Sequence, residues 1–377
     1  MKSSGTPAPQ RNEYISGIIN ESPRRHTYMS GQTMRAMIFL GPGQLELRSV
    51  PVPKPADGEI LLKIGCATTC GTDLKAFNRG YRLLNPPCGF GHECVGVVTE
   101  TGAGVEGFTP GMRVVAHNSA PCNRCFYCKQ GQQNLCENLI FNYGTYAEYI
   151  TVPRPIVELN TFPIPDHLSD LQAPLIEPLM CVVHGHRVLQ IRHGEHVAVI
   201  GTGPIGLMHV QLSRLAGAVQ IIAVDLSDTR LAVAEKLGAT DLINADKTEP
   251  VEAIRSLTQG RGVDAVIEAA GAVEAWYTAL RSVRKGGRVE FFGGLKGDVP
   301  LQVDPAWIHY GELSLYGTFH GTPVDAQRAY ELIASGTVDT ASLISDEMPL
   351  ENVVDALKRM ERGEVIKVAI RPDLKPQ

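Results

Sequence analysis

A chain of 377 residues, 44% hydrophobic and 20% charged, has the make-up of a soluble globular protein of two or three domains, with a core large enough to need no disulfides. Its formal charge of −5 gives no bulk basicity for nucleic acid or anionic membrane, and no apolar run approaches the roughly 20 residues that span a bilayer. Nine cysteines, several crowded into one short segment, point to metal and a reducing cytoplasm rather than to a secreted disulfide framework.

In chain order, residues 1–33 are rich in Ser, Pro, Gly and Asn without sustained periodicity, and Arg24-Arg25-His26 is followed by no apolar signal core. They are expected to form a disordered extension, with Met29 and Met34 as alternative starts. Strands are expected at 35–40, 58–64 and 96–101, with Gly102, Gly104, Gly107 and Gly111 marking turns, which reads as a small β-barrel. Within that region Cys122, Cys125, Cys128 and Cys136 form C-x2-C-x2-C-x7-C. Four thiolates so spaced wrap one tetrahedral zinc and leave no open position, so the site is structural. Iron–sulfur is the alternative, which an embedded loop of this kind disfavours.

From residue 197 the rhythm changes. Strands at 197–200, 220–224, 265–268, 288–292 and 313–318 alternate with helices such as 205–215 and 229–237, the pattern of a doubly wound α/β parallel sheet. The stretch 323–358 reads as mostly helical, and 365–370 as a closing strand. The first strand runs into Gly201-Thr202-Gly203-Pro204-Ile205-Gly206, a dinucleotide fingerprint. Gly201 permits the tight turn, Gly203 a close approach of the pyrophosphate, and Gly206 close helix–strand packing. Asp225 ends the second strand, where a carboxylate accepts from ribose hydroxyls and repels a 2′-phosphate. NAD is therefore expected rather than NADP, with Arg230 as a candidate to cover the adenine.

Cys70-Gly71-Thr72-Asp73 and Gly91-His92-Glu93 are weak signals singly. Together with the four-cysteine lobe and the dinucleotide motif they resemble the zinc-containing medium-chain alcohol dehydrogenases, in the polyol and threonine dehydrogenase branch. The resemblance covers about residues 34–370. It implies a GroES-like β-barrel catalytic domain over 34–185, a Rossmann domain over 186–322, and a return of the catalytic domain at 323–377. It also implies a second, catalytic zinc on Cys70 and His92, with Glu93 and Glu177 as the further candidate ligands. Thr72 would take the substrate hydroxyl proton, and Asp73 would orient His92. The chain departs from the branch at three places. Lys75 stands where a relay histidine is common, His320 where sorbitol dehydrogenases carry arginine, and Ser119 where threonine dehydrogenases carry histidine.

The expected reaction is hydride transfer between a secondary alcohol (a polyol, sugar or cyclitol) and NAD. An amino alcohol such as threonine is the alternative substrate, and a non-catalytic NAD- and zinc-binding protein the alternative of another class. The resemblance further implies a homodimer or homotetramer paired through the edge strand at 313–318. Cys66, Cys88, Cys94 and Cys181 are expected to be small buried hydrophobes. His184, His186, His193 and His196 are expected mainly at the surface or at helix ends, with His184 the one facing the cleft.

Overall fold

The computed structural model describes residues 27–295 and 299–375. Of the expected N-terminal extension, residues 1–26 lie outside the described part, but its last residues are strand. β1 runs from Tyr28 to Gly41 and pairs antiparallel with β2, Gln44–Pro53, with Thr33 opposite Pro51 and Met34 opposite Val50. The boundary expected at residue 33 is therefore corrected: backbone pairing with β2 holds a segment whose polar composition carried no strand signal.

The barrel sheet is built around β3, Ile60–Thr68, which is buried along most of its length apart from the exposed Lys63. It pairs with β4 (Cys94–Thr101), which in turn pairs with β5 (Arg113–Ala116). β6 (Tyr149–Val152) also pairs with β3, and β7 (Thr161–Pro163) with β5. The far end of the chain closes this sheet: β15 (Lys367–Arg371) lies antiparallel to β3 and parallel to β14 (Ile344–Pro349). The stretch expected to be mostly helical is thus two helices, Pro323–Ala334 and Val353–Glu361, separated by β14.

The second sheet is wholly parallel. Its strands are β8 (His196–Ile200), β9 (Gln220–Asp225), β10 (Asp241–Asn244), β11 (Val263–Glu268), β12 (Val283–Phe291) and β13 (Ser314–Gly317). They lie in the order β10-β9-β8-β11-β12-β13, which reverses at β8 and makes a topological switch point there. Val197, Val199, Ile221 and Ile267 pack on one face, and Ala198, Ile200, Ile222 and Val266 on the other. Burial on both faces explains why these strands read as continuous apolar runs. β10, with the polar ends Asp241 and Asn244 on an edge strand, gave no such run and was not expected.

The two sheets share a core. Cys66, Val95 and Val115 of the barrel lie in one cluster with Leu175, Leu179 and Val182 and with Val197 of the parallel sheet. Helix α2, Ile176–Leu189, supplies most of the link and packs against α4, Pro323–Ala334. Two more helices position the site. α1 spans Gly71–Arg79 in the barrel, and α3 spans Pro204–Leu215 after β8.

Candidate active site and metal centres

The helix start at Cys70 organises the first cluster. Cys70 caps α1: its Sγ accepts from the Thr72 N–H at 3.5 Å, and its own N–H donates to Asp73 Oδ2 at 3.2 Å. Asp73 is buried, and its Oδ1 lies 2.9 Å from His92 Nδ1 while Oδ2 accepts from Tyr146 at 2.6 Å. With Nδ1 engaged, the imidazole keeps Nε2 for a cation, the usual arrangement behind a metal-binding histidine. Thr72 follows Cys70 in the first turn and is half-buried.

Glu93 is fully buried. One carboxylate oxygen, Oε2, accepts from Lys367 Nζ at 2.5 Å and from the Thr68 hydroxyl. The other, Oε1, is buried without a hydrogen-bond partner. An orphaned carboxylate oxygen in a dry site is costly unless a cation meets it. Cys70 Sγ, an His92 nitrogen and a Glu93 oxygen lie within 4.8 Å of one another, which fits a zinc ion with three protein ligands and an open position.

Glu177 sits in the first turn of α2, 5% exposed, and burial pushes its carboxyl up to about 7. It is near enough to His92 and Glu93 to respond to their charges. Its carboxylate, however, converges with Cys181 and His320 rather than with the Cys70 group. The four ligand candidates of the catalytic metal are therefore brought together as three plus one neighbour. Cys66, Cys88 and Cys94 are buried as expected, whereas Cys181 is half-buried and faces this cluster.

The four-cysteine lobe is assembled as its spacing requires. The Sγ atoms of Cys122, Cys125, Cys128 and Cys136 lie within 4.8 Å of one another. The N–H groups of Cys122 and Asn138 donate to Cys136 Sγ at 3.2 and 3.3 Å. Backbone donors to sulfur favour thiolates, and the nine cysteines are free of disulfides. The donor set and its convergence fit a closed structural zinc.

At the carboxyl ends of the parallel strands the dinucleotide motif has the expected shape. Gly201 has φ +91°, and a Cβ there would lie 2.8 Å from Ala270 N. A Cβ on Gly206 would lie 1.8 Å from Gly201 O, whereas one on Gly203 would meet nothing, leaving open space for a ligand's approach. Gly203 caps α3, and Pro204 and Ile205 form its first turn, so free N–H groups face the crevice. Asp225 ends β9. Its Oδ2 accepts from Thr202 N at 2.7 Å and Thr202 Oγ1 at 3.0 Å, and its Oδ1 from Ser227 N at 3.0 Å. Arg230 lies 3.9 Å from Asp225 Oδ1, so its guanidinium faces the same end of the crevice.

Two residues beside the site, Lys367 and Glu268, were not singled out from sequence. Lys367 is buried and bonded to Glu93 and to Thr69 O at 2.6 Å. A lysine inside an apolar strand was the available signal. Glu268, at the end of β11, accepts from the N–H groups of Ala270 and Gly271 through Oε1, and its Oε2 is buried without a partner. Lys75 reaches across the cleft from α1 to donate to Gly294 O at 3.2 Å. His184 does not face the cleft freely. It is buried, with Nδ1 2.9 Å from Arg187 Nη2 and 3.4 Å from Asp325. His186 is half-buried and stacked on His209, His193 is exposed and His196 half-buried. The spacing that suggested helix-end residues could not show that α4 and α3 cover this face of α2.

A barrel domain carrying a cysteine–histidine–carboxylate cluster, joined to a dinucleotide sheet, defines a metal-dependent dehydrogenase. Residues 56–166 match the family "Alcohol dehydrogenase GroES-like domain", and residues 204–335 match "Zinc-binding dehydrogenase". The chain is 34% identical to the sorbitol dehydrogenase of Bacillus subtilis, over 92% of this chain and 99% of that protein. It is 33% identical to the L-threonine 3-dehydrogenase of Symbiobacterium thermophilum, over 91% and 99%. A zinc-binding dehydrogenase of Sinorhizobium meliloti, solved bound to NADP, superimposes with a TM-score of 0.84 at 33% identity, over 90% of this chain and all of that one. The chain belongs to the zinc-type alcohol dehydrogenase family of oxidoreductases.

Proposed function

We propose that this protein oxidises a secondary alcohol of the polyol, sugar or cyclitol class with NAD, using one catalytic and one structural zinc. The observation that carries the reading is the convergence of Cys70, His92 and the orphaned Glu93 carboxylate beside the crevice formed by Gly201, Gly203 and Asp225. The relatives named for sorbitol and threonine support an alcohol with a neighbouring polar group, and Glu177 beside the cluster suits hydroxyl recognition. Cys70, His92 and Glu93 would hold the zinc, which when bound would supply a Lewis acid for the substrate hydroxyl, and the turn at Gly201–Gly206 would hold the NAD that supplies the hydride acceptor.

The chain's own residues do the rest. Asp73 fixes the His92 ring through Nδ1, so the ligand geometry is set before substrate arrives. Thr72, two residues after Cys70, would accept a hydrogen bond from the substrate hydroxyl. Lys75, one turn further along α1, holds the barrel against the Gly294 loop and so sets the distance between donor and acceptor. Burial lowers the pKa of its ammonium from the ordinary lysine value. Asp225, at the end of β9, offers a carboxylate that would accept from ribose hydroxyls and repel a 2′-phosphate, which favours NAD. Edge strand β13 suits pairing between copies, consistent with a homodimer or a tetramer of dimers. Among the described residues no helix is long and apolar enough to cross a membrane.

The test is NADH formation across a panel of polyols, sugars, cyclitols and L-threonine, with zinc content measured by mass spectrometry. Turnover of one class with two zinc ions per chain, and loss of one ion and the activity in Cys70→Ser, is expected. Turnover of L-threonine alone would overturn the substrate class. Full activity in Cys70→Ser would overturn the catalytic site.

A further inference from the structure

We infer that Asn134, inside the four-cysteine lobe, is a positioning residue for the alcohol: it carries the lobe's grip on the turn at Phe319 and His320, so that the closed lobe shapes the cleft as well as stabilising the chain. The inference rests on the functional reading above for its setting. Asn134 lies in the short turn Gln133–Leu135, two residues before Cys136, and is 7% exposed. Its Nδ2 donates to Phe319 O at 3.1 Å and lies 3.5 Å from His184 Nε2 on α2. One amide of the lobe thus meets both the loop between β13 and α4 and the helix that carries Glu177.

The loop needs such a hold. His320 has φ +57°, a left-handed conformation that a non-glycine residue adopts only when its surroundings require it. The Phe319 carbonyl belongs to the rigid peptide unit that ends at the His320 nitrogen, so a hydrogen bond to it fixes the plane from which that φ is set. The stem of the same lobe supplies further holds. Ser119–Ala120 pairs with Ile140–Phe141, and the lobe is inserted between these two short strands. The Ser119 hydroxyl lies 2.5 Å from His320 Nε2, and the Phe141 ring lies 5.4 Å from the imidazole, centre to centre. On the other side Gly321 is pressed onto Met180, where an added Cβ would lie 2.7 Å from the Met180 side chain. His320 forms part of the cleft wall beside Glu177 and Cys181, so a shift of this turn alters a surface the alcohol meets and leaves the dinucleotide motif alone.

The lobe has little apolar core of its own to keep Asn134 in place. Its helical pieces are only Phe126–Lys129 and Gln133–Leu135, and the Phe126 and Leu135 side chains are 64% and 44% exposed. What fixes the segment is the convergence of Cys122, Cys125, Cys128 and Cys136 within 4.8 Å. Thiolates that close repel one another unless a cation lies among them. With zinc bound there, the turn that ends at Cys136 is fixed, and the Asn134 amide with it. Without it, the amide loses its place and the Phe319 carbonyl loses its donor. The cleft therefore loosens on the alcohol side, whereas the NAD crevice, built from β8, β9 and α3, keeps its shape.

The experiment compares the full chain with Asn134→Ala, Cys125→Ser and Leu135→Ala, the last a control on the exposed side of the same turn. Zinc per chain is read by mass spectrometry, loop order by amide hydrogen exchange of residues 318–322, and function by the KM for the alcohol beside that for NAD. Asn134→Ala should keep two zinc ions and speed exchange of the loop about 3- to 10-fold, the worth of one hydrogen bond. It should raise the alcohol KM by a similar factor and leave kcat and the KM for NAD within about twofold. Cys125→Ser, short of one zinc, should change exchange and the alcohol KM in the same direction, and Leu135→Ala should match the unmodified protein. Asn134→Ala keeps every thiol, so it decides the matter even if Cys125→Ser fails to fold. Exchange and zinc content are read without turnover, so a wrong substrate class fails in the alcohol panel and leaves these readings standing. Unchanged loop exchange in Asn134→Ala, or a loss of thermal stability with the alcohol KM unmoved, would overturn the proposal.

Discussion

Asp325 is where a single substitution should expose how the cleft is held. It is fully buried in α4 and receives four hydrogen bonds: from Thr322 N at 3.0 Å, Thr322 Oγ1 at 2.8 Å, and Arg187 Nε and Nη2 at 3.0 Å each. Arg187 belongs to α2, so this carboxylate ties α4 to the helix that carries Glu177 and Cys181. Asp325→Ala leaves the buried Thr322 N–H without a partner, which costs about 1–3 kcal/mol. It also strands Arg187, but that side chain is 42% exposed and turns to water, so the charge penalty is screened. The sum is about 3 kcal/mol, the lower end of the range for breaking a buried pair. Thermal unfolding followed by circular dichroism should show a fall of roughly 4 °C for a chain of this length. Asp325→Asn, which keeps an acceptor for Thr322, should lose less.

The pH dependence gives an independent check. Although burial alone would raise it, the His184, Arg187 and Thr322 side chains hold the Asp325 carboxyl well below the usual carboxylate range. A depressed carboxylate stabilises the fold above its unfolded pKa of about 3.9 and loses that contribution as pH falls towards the folded value. The gap between the unmodified protein and Asp325→Ala should stay constant from neutral pH down to about 4 and narrow below it. A gap under about 1 kcal/mol at neutral pH, or one undiminished in acid, would refute the reasoning.

Asp225→Ala should erode the preference for NAD over NADP by about 1.4–2.8 kcal/mol, roughly 10- to 100-fold in relative kcat/KM, because a nearby like charge is removed; equal efficiency with both cofactors in the unmodified protein would contradict it. Cys125→Ser should release the structural zinc and lower thermal stability while leaving the catalytic zinc bound, as metal analysis and unfolding curves would show. For assembly, light scattering at low micromolar concentration should report a dimer or tetramer weakened by Leu315→Lys in the edge strand; a fully active monomer would reject edge pairing.

The sequence by itself determined the features that depend on local spacing. Four cysteines within fifteen residues must meet around one centre because the connecting chain is too short to separate them. The glycines of residues 201–206 act through backbone geometry that a strand, a tight turn and a helix impose wherever they occur. Family resemblance then supplied Cys70, His92 and Glu93 as one site, which spacing alone does not bring together.

What only the tertiary structure decided involves partners far apart in the chain. Lys367 meets Glu93 because β15 returns to pair with β3, and no local pattern encodes that pairing. Glu177, a candidate ligand from sequence, is brought within reach of the charges of His92 and Glu93 and also converges with Cys181 and His320. The left-handed turn at His320, pinned by Gly321 against Met180, completes that grouping. Residues 28–33 likewise look unstructured in composition and become strand through pairing with β2. In each case the energy that fixes the residue comes from burial and hydrogen bonding across elements. Such terms are absent from any window of sequence and exist only once the sheets and helices have packed.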